Sequence, residues 1–354
     1  WAGGRASSTS FDFVLRPVFL ALGEDIVLYR VFAIVMTAGL TGVASFLLLR
    51  IVLSDGSARA GVAITLAPTG LLFYSFPLLT PSYNALALWA LLAILIGVLL
   101  LRMRPPGLVA AWVLIGAGGW LAFMAKPPTA GAAALAALLL MAAERRLAVA
   151  NVLIPALISG GLLLMSATLL SGGPLEYVAD LQAATEIAAL MDGGHGILAM
   201  LRIDTPTLGA RDAAFLVGFG VLAALGVVGA VAGERPRTLT VFAATAVAGA
   251  AVLVAAGVLA GPLPLREFIA LIVLAIVLGI VGARVLLTRA FGPFPARGWL
   301  LVVGLLLLPC GFSLGTNNNY WWQSGLAAVF WVLAAIVLLG GSEGDADRAA
   351  PRTA

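Results

Sequence analysis

The stretch YNALALWALLAILIGVLLLR, residues 83–102, carries no charged side chain until Arg102 closes it. A hydrocarbon core about 30 Å thick is crossed by about 20 apolar residues in a helix, which keeps its backbone groups paired away from water. Residues 83–102 meet that length unaided and read as a transmembrane helix. Working outward, Thr80-Pro81-Ser82 makes a polar turn before the run, while Arg102 and Arg104 follow it. The rest of the chain repeats this pattern of a polar turn at one end and arginines at the other.

Similar apolar runs lie at 29–50, 60–79, 107–125, 128–143, 147–170, 213–232, 239–260, 266–288, 299–315 and 320–340, giving eleven expected spans in all. The second is interrupted by Pro68 and Gly70, and the fifth is short. The expected fold is all-α: a polytopic transmembrane helical bundle of about eleven spans with interfacial helices on its outer face. Residues 1–340 form one domain, and 341–354 form a polar tail.

Composition agrees. Of the 354 residues, 62% are hydrophobic and 10% charged, where a soluble domain carries about 25% charged residues. Those values exclude a disordered chain, a disulfide-stapled secreted domain and an ordinary cytosolic enzyme. Cys310 is the single cysteine, so no intrachain disulfide forms. The sequence pI is near 9.7, but the arginines form no stripe or aromatic-interleaved patch, so nucleic acid is not an expected partner. The chain begins at Trp1 rather than Met, and the reading expects an upstream segment, either a removed signal peptide or a first helix.

The arginines report orientation instead. Arg50 and Arg59, Arg102 and Arg104, Arg145 and Arg146, Arg235 and Arg237, then Arg284, Arg289 and Arg297 fall in every second connection. The short alternate connections hold only Lys126 and Arg266. By the positive-inside rule the arginine-rich connections and the C-terminal tail face the cytoplasm of a bacterial-type inner membrane. Residues 1–28 and 171–212 then lie outside.

Unusual chemistry collects on that outer side. Residues 1–28 place Asp12, Arg16, Glu24 and Asp25 among Phe11, Phe13, Val18 and Phe19, a composition suited to one or two short interfacial helices. In 176–191, Val178, Leu181, Ala184, Ile187 and Ala188 recur at helical spacing before Gly193-Gly194. His195, between glycine and glycine, reads as a solvated loop residue or a binding group. Tyr83 and Asn84 end the turn at 80–84, and Asn317, Asn318, Tyr320, Trp321 and Trp322 precede the last expected span. These are turn-formers and an interfacial aromatic belt, or they are amides and ring faces that hold a sugar. Lys126, the only lysine, stands on the cation-poor side, where it snorkels or binds phosphate. Arg266 adjoins Glu267 and reads equally as an interfacial ion pair.

Signatures of soluble enzymes are missing. The sequence has no Walker-type loop, no dinucleotide fingerprint, and too few Cys and His residues for a protein-built zinc cluster. The span interiors also lack the ionisable residues that a coupled transporter normally keeps.

The outer motifs, in order, resemble the GT-C superfamily of polyprenyl-phosphate-sugar-dependent glycosyltransferases, the group of the protein O-mannosyltransferases and the lipid A aminoarabinose transferases. Four stretches carry the resemblance: Phe11-Asp12-Phe13 to Arg16-Pro17 with Gly23-Glu24-Asp25 to Arg30-Val31-Phe32; Thr80-Pro81-Ser82-Tyr83-Asn84; Gly118 through Lys126-Pro127-Pro128; and Gly315-Thr316-Asn317-Asn318. It implies an inverting transfer of a hexose or pentose from a polyprenyl phosphate donor to an acceptor hydroxyl at the outer face. A carboxylate of the first outer loop would serve as general base or metal ligand, and in this chain Asp12, Glu24 and Asp25 are the acids there. Lys126, Arg266 and Arg30 would hold the donor phosphate. Tyr83, Asn84, His195, Asn317, Asn318 and Trp321 would contact substrate. No cofactor is fixed by the sequence, and a divalent cation stays open. The resemblance also implies that the first helix, and the start of the loop bearing the acidic motif, precede Trp1. Two other classes remain: a lipid or polysaccharide transporter, and a non-catalytic membrane subunit of envelope assembly.

Overall fold

A computed structural model describes residues 9–52, 56–75, 80–102, 107–190, 216–225, 265–286, 296–315 and 320–339. Among these residues every regular element is helical, and no strand occurs. In chain order they are α1 (Phe11–Ala21), α2 (Ile26–Val52), α3 (Gly56–Leu66), α4 (Tyr83–Leu101), α5 (Gly107–Ala125), α6 (Pro127–Ala143), α7 (Val149–Ser171) and α8 (Pro174–Leu190). Then come α9 (Leu216–Leu225), α10 (Leu265–Leu286), α11 (Ala296–Ser313), α12 (Tyr320–Gly325) and α13 (Val329–Leu339). Among the described residues five helices are long and apolar enough to cross a bilayer, namely Ile26–Ile51, Tyr83–Leu101, Leu108–Ala125, Val149–Ser171 and Ala296–Ser313. The chain is an all-α membrane protein. The expected span 239–260 and the tail lie outside the described residues.

Two expected spans are broken where their residues require it. After α3 the backbone tightens into a 3-10 stretch, Ala67–Ser75, which contains both Pro68 and Gly70. Proline supplies no N–H to continue an α-helix, and a Cβ at Gly70 would sit 3.2 Å from the Thr37 carbonyl oxygen of α2. The last expected span divides into α12 and α13, with a turn at 326–328 between them.

The stretch that opens the sequence argument is the centre of the bundle. Helix α4 is 94% buried over its span, enclosed by α2, α5, α6 and α11. Its union with α5 is built on glycines. A Cβ at Gly97 would meet the Ala111 carbonyl oxygen at 2.8 Å, and one at Gly118 would meet that of Ala90 at 2.9 Å. Lipid tails are as apolar as leucine, so helices associate in a bilayer through such close backbone approach and polar links. The same logic joins α5 to α7, where the Trp112 indole donates to Asn151 Oδ1 at 3.0 Å and the Trp120 indole to Ser166 Oγ at 3.0 Å. On α2, the buried Thr37 accepts the Trp89 indole of α4 at 2.8 Å.

Helix α1 lies across the ends of α2, α4 and α5. Leu15 is buried while Asp12 and Arg16 are exposed, the two-sided pattern of an interfacial helix. Helix α8 forms at Pro174–Leu190, close to the expected range, with Leu181 and Ala184 of the expected apolar set turned inward and Tyr177 in place of Val178. Tyr177 and Ala184 are buried, and Val178 is exposed. The helix is turned toward Tyr177 because that phenol finds Ser10 and Met124.

Candidate functional site

Lys126 is the N-cap of α6, in the one-residue connection between α5 and α6, with Pro127 and Pro128 opening the helix behind it. Proline at the first helical positions needs no N–H partner, so the chain turns sharply there. The turn directs the lysine inward, where it is 1% exposed. Its Nζ donates to the Phe312 carbonyl at 3.0 Å. That carbonyl belongs to the last turn of α11, where no backbone N–H follows to pair it. An ammonium at this end also meets the negative pole of the helix. Thr129 Oγ1 donates to the Leu314 carbonyl, two residues on from Phe312, at 3.3 Å.

Aromatic faces surround the rest of the ammonium. Nζ lies 4.3 Å from the Phe312 ring centroid and 5.3 Å from that of Tyr83, a geometry in which ring quadrupoles attract a cation. The Arg102–Glu144 ion pair lies at the opposite end of the bundle. No carboxylate pairs with Lys126 among the described residues. Burial pushes its pKa well below the usual 10.5.

Contacts between distant stretches gather at this end of the bundle. Phe11 of α1 stands edge-on to Tyr83, their centroids 6.0 Å apart. The Ser10 N–H donates to the Met124 carbonyl at 2.9 Å, two residues before Lys126. Arg30 is exposed near the start of α2, and its Nε donates to Thr80 Oγ1 at 3.2 Å. Asn84 is buried beside the N-cap Ser82, and its Oδ1 accepts from Gln323 Nε2 of α12 at 2.7 Å. Gly315, with φ +77°, closes against Pro128: a Cβ there would be 3.1 Å from Pro128 Cγ. An L-residue would be strained in that left-handed conformation, and glycine removes both obstacles.

The three acids occupy separate positions. Asp12 is exposed on α1 beside Phe11, and Glu24 is exposed in the α1–α2 turn with φ 60°. Asp25 caps α2, its Oδ1 accepting from the Val27 and Leu28 N–H groups at 2.7 and 3.1 Å. Those bonds satisfy two otherwise orphaned donors of the helix start. Among the described residues no three His, Cys, Asp or Glu side chains gather to hold a metal ion. Arg266 is the second residue of α10 and Trp321 the second of α12. His195, Asn317 and Asn318 lie outside the described residues.

Three participants escape a sequence reading. Gln323 and Tyr177 are polar groups inside or beside apolar runs, and an isolated glutamine within an expected span is the signal that marks the first. The Phe312 carbonyl has no sequence signature at all. No known protein family, no curated protein and no solved structure matches this chain.

Proposed function

We propose that the chain is a membrane glycosyltransferase that moves a sugar from a polyprenyl phosphate donor to an acceptor hydroxyl at the outer face. One observation supports this reading above the others: residues from each stretch that carries the family resemblance (Phe11 and Arg30, Thr80 and Tyr83, Lys126, Gly315) lie at one end of the bundle, with an ammonium that pairs with no carboxylate among the described residues. In the proposed reaction the acceptor oxygen attacks the anomeric carbon and the bond from that carbon to the phosphate oxygen breaks. Polyprenyl phosphate departs, and the hydroxyl proton passes to a carboxylate, with Asp12 the candidate next to the Phe11–Tyr83 contact. Charge grows on the leaving phosphate, so a preorganised cation lowers the barrier. Arg30 offers its remaining guanidinium donors to that phosphate from the exposed rim, and Lys126 supplies positive potential from beneath. The eleven-span count and the cytoplasmic arginine face belong to the same proposal, supported by the alternation of cations along the sequence.

The test uses full-length chain in membranes with a labelled polyprenyl-phosphate hexose. Donor turnover is expected in the parent protein, and Arg30→Ala is expected to lower kcat/KM at least about tenfold at unchanged protein level. Absence of turnover in the parent, or full activity of the Arg30→Ala variant, overturns the assignment. A second reading, a non-catalytic membrane subunit, is favoured by the engagement of Lys126 with the Phe312 carbonyl. It requires that the complete chain turn over no donor.

A further inference from the structure

Along α6, from about one turn past Lys126 to the far end of the helix, an apolar crevice of about 350 Å³ opens between α6 and α7 over the face of α5. Its α6 wall carries Ala130, Ala133, Ala134, Ala137, Leu138 and Met141, and its α7 wall starts at Asn151. From Ala130 to Met141 a helix rises about 16 Å, roughly half the hydrocarbon thickness and so the depth of one leaflet. Small side chains make the crevice. Ala134 and Ala156, on facing walls, are both exposed, which leaves the slot with an open side.

The Met141 end of the slot runs into a basic turn. Arg145 and Arg146 join α6 to α7, and both are exposed. Asn151, the polar residue at this end of the lining, donates from Nδ2 to the Arg146 carbonyl at 2.7 Å, so slot and turn are one continuous surface. Arg146 uses Nη2 on the Arg102 carbonyl at 3.4 Å, which holds the guanidinium near the slot mouth with other donors free to bind. The Arg145 side chain makes no hydrogen bond or ion pair among the described residues.

Backbone geometry adds a separate indication. Helix α6 ends with Arg146 N–H bonded to the Met141 carbonyl at 2.8 Å and Arg145 N–H to that of Ala142 at 3.0 Å. This is the Schellman closure, in which glycine normally fills the left-handed residue. Here that residue is Arg145, with φ 53°, a conformation an L-residue adopts only at some cost. A guanidinium therefore stands where the fold alone favours glycine.

We propose that this slot and turn bind one anionic phospholipid, its acyl chain lying along α6 and its phosphate held by Arg145 and Arg146. Apolar length, charge at one end only and an opening toward the bilayer fit a lipid of the leaflet on the arginine-rich side. The site is independent of sugar transfer, and its headgroup end, at Arg145 and Arg146, lies at the opposite end of α6 from Lys126.

Purified full-length chain is loaded with dioleoyl phosphatidylglycerol or dioleoyl phosphatidylcholine, and retained lipid is counted by native mass spectrometry alongside the melting temperature. One phosphatidylglycerol per chain is expected, preferred over phosphatidylcholine by roughly tenfold or more, since each arginine near an anionic headgroup contributes about fivefold. The Arg145→Gly, Arg146→Gln variant should retain both lipids about equally. Its lipid-free melting temperature should hold or rise, because glycine suits the Schellman position. Ala134→Phe, which projects into the open slot, should lose both lipids. Three results overturn the proposal: no retained lipid, as when another part of the chain covers the slot; equal retention of the two lipids by the parent; or stabilisation by millimolar inorganic phosphate equal to that by phosphatidylglycerol.

Discussion

Helices α4 and α7 are written in the same apolar alphabet and live in opposite surroundings. Helix α4 is 94% buried over its span, and α7 is 17% buried. Both have the length and hydropathy of a membrane crossing, so hydropathy does not distinguish a helix sheltered by protein from one bathed in lipid. The difference lies in what adjoins them. Around α4 the neighbours carry glycines that admit close backbones, and its N-terminus ends in Tyr83 and Asn84, both engaged across the bundle. Helix α7 shows Leu153, Leu157, Leu164 and Leu169 outward, each more than half exposed, and grips the bundle through one edge along α5. Small residues and polar links hold both helices to α5, as expected where the surrounding solvent is itself hydrocarbon. Yet α4 is enclosed by α2, α5, α6 and α11, while α7 packs mainly on α5 and α8 among the described helices.

The sharpest way to break the comparison is a matched pair of truncations. Leu88→Ala, at a fully buried site, is expected to cost about 2–5 kcal/mol. Leu157→Ala, 73% exposed on α7, should stay within about 0.5 kcal/mol. Thermal unfolding of both variants in one detergent decides it, and equal losses would mean that α7 is covered in the assembled protein.

Next in size is the Asn84–Gln323 pair. Asn84→Leu strands a buried amide and should cost about 1–3 kcal/mol. Adding Gln323→Leu should recover much of the loss, and chemical denaturation of the full double-mutant cycle gives the coupling. A coupling near zero would remove this link from the account of why α4 is enclosed.

A smaller effect, of opposite sign, belongs to α7. A Cβ at Gly161 meets nothing within 4 Å, so Gly161→Ala should raise stability by about 0.5–1 kcal/mol through helix propensity alone. A loss on the melting curve would reveal a neighbour there.

The slightest signal is a slope. Burial lowers the Lys126 pKa in the folded chain, so between that lowered value and 10.5 the unfolded chain binds a proton that the folded chain lacks. Stability therefore rises with pH through this window. Melting temperatures taken upward through that window toward pH 10.5 should climb for the parent and lie flatter for Lys126→Met.

Much of this was legible beforehand, for physical reasons. The helix at 83–102 follows from length and apolarity, and the start of α6 follows from Lys126-Pro127-Pro128. The short amphipathic helix near residue 12 follows from charges set among phenylalanines. Less visible was which helix would be central, because a leucine packed on leucine and a leucine packed on lipid have the same composition. On α8, Tyr177 rather than Val178 is buried, since Tyr177 has a partner in Ser10 that no periodicity reveals. At the candidate site Lys126, Tyr83 and Asn84 stood out as rare polar groups at span ends. Their actual partners, a backbone carbonyl and a glutamine more than 200 residues from Asn84, are long-range pairings that composition does not encode.

The contact between Lys126 and Phe312 also sets a clock. The two residues are 186 positions apart in sequence. At roughly 5–20 residues per second of synthesis, the ammonium emerges about ten to forty seconds before the carbonyl that receives it. Throughout that interval the α4–α5–α6 unit exists with its lysine uncapped and the end of α11 still unmade. Lys126 is thus a late latch: its burial records that the C-terminal helices have arrived, and a chain stalled before residue 312 is left with a charge that has nowhere to go.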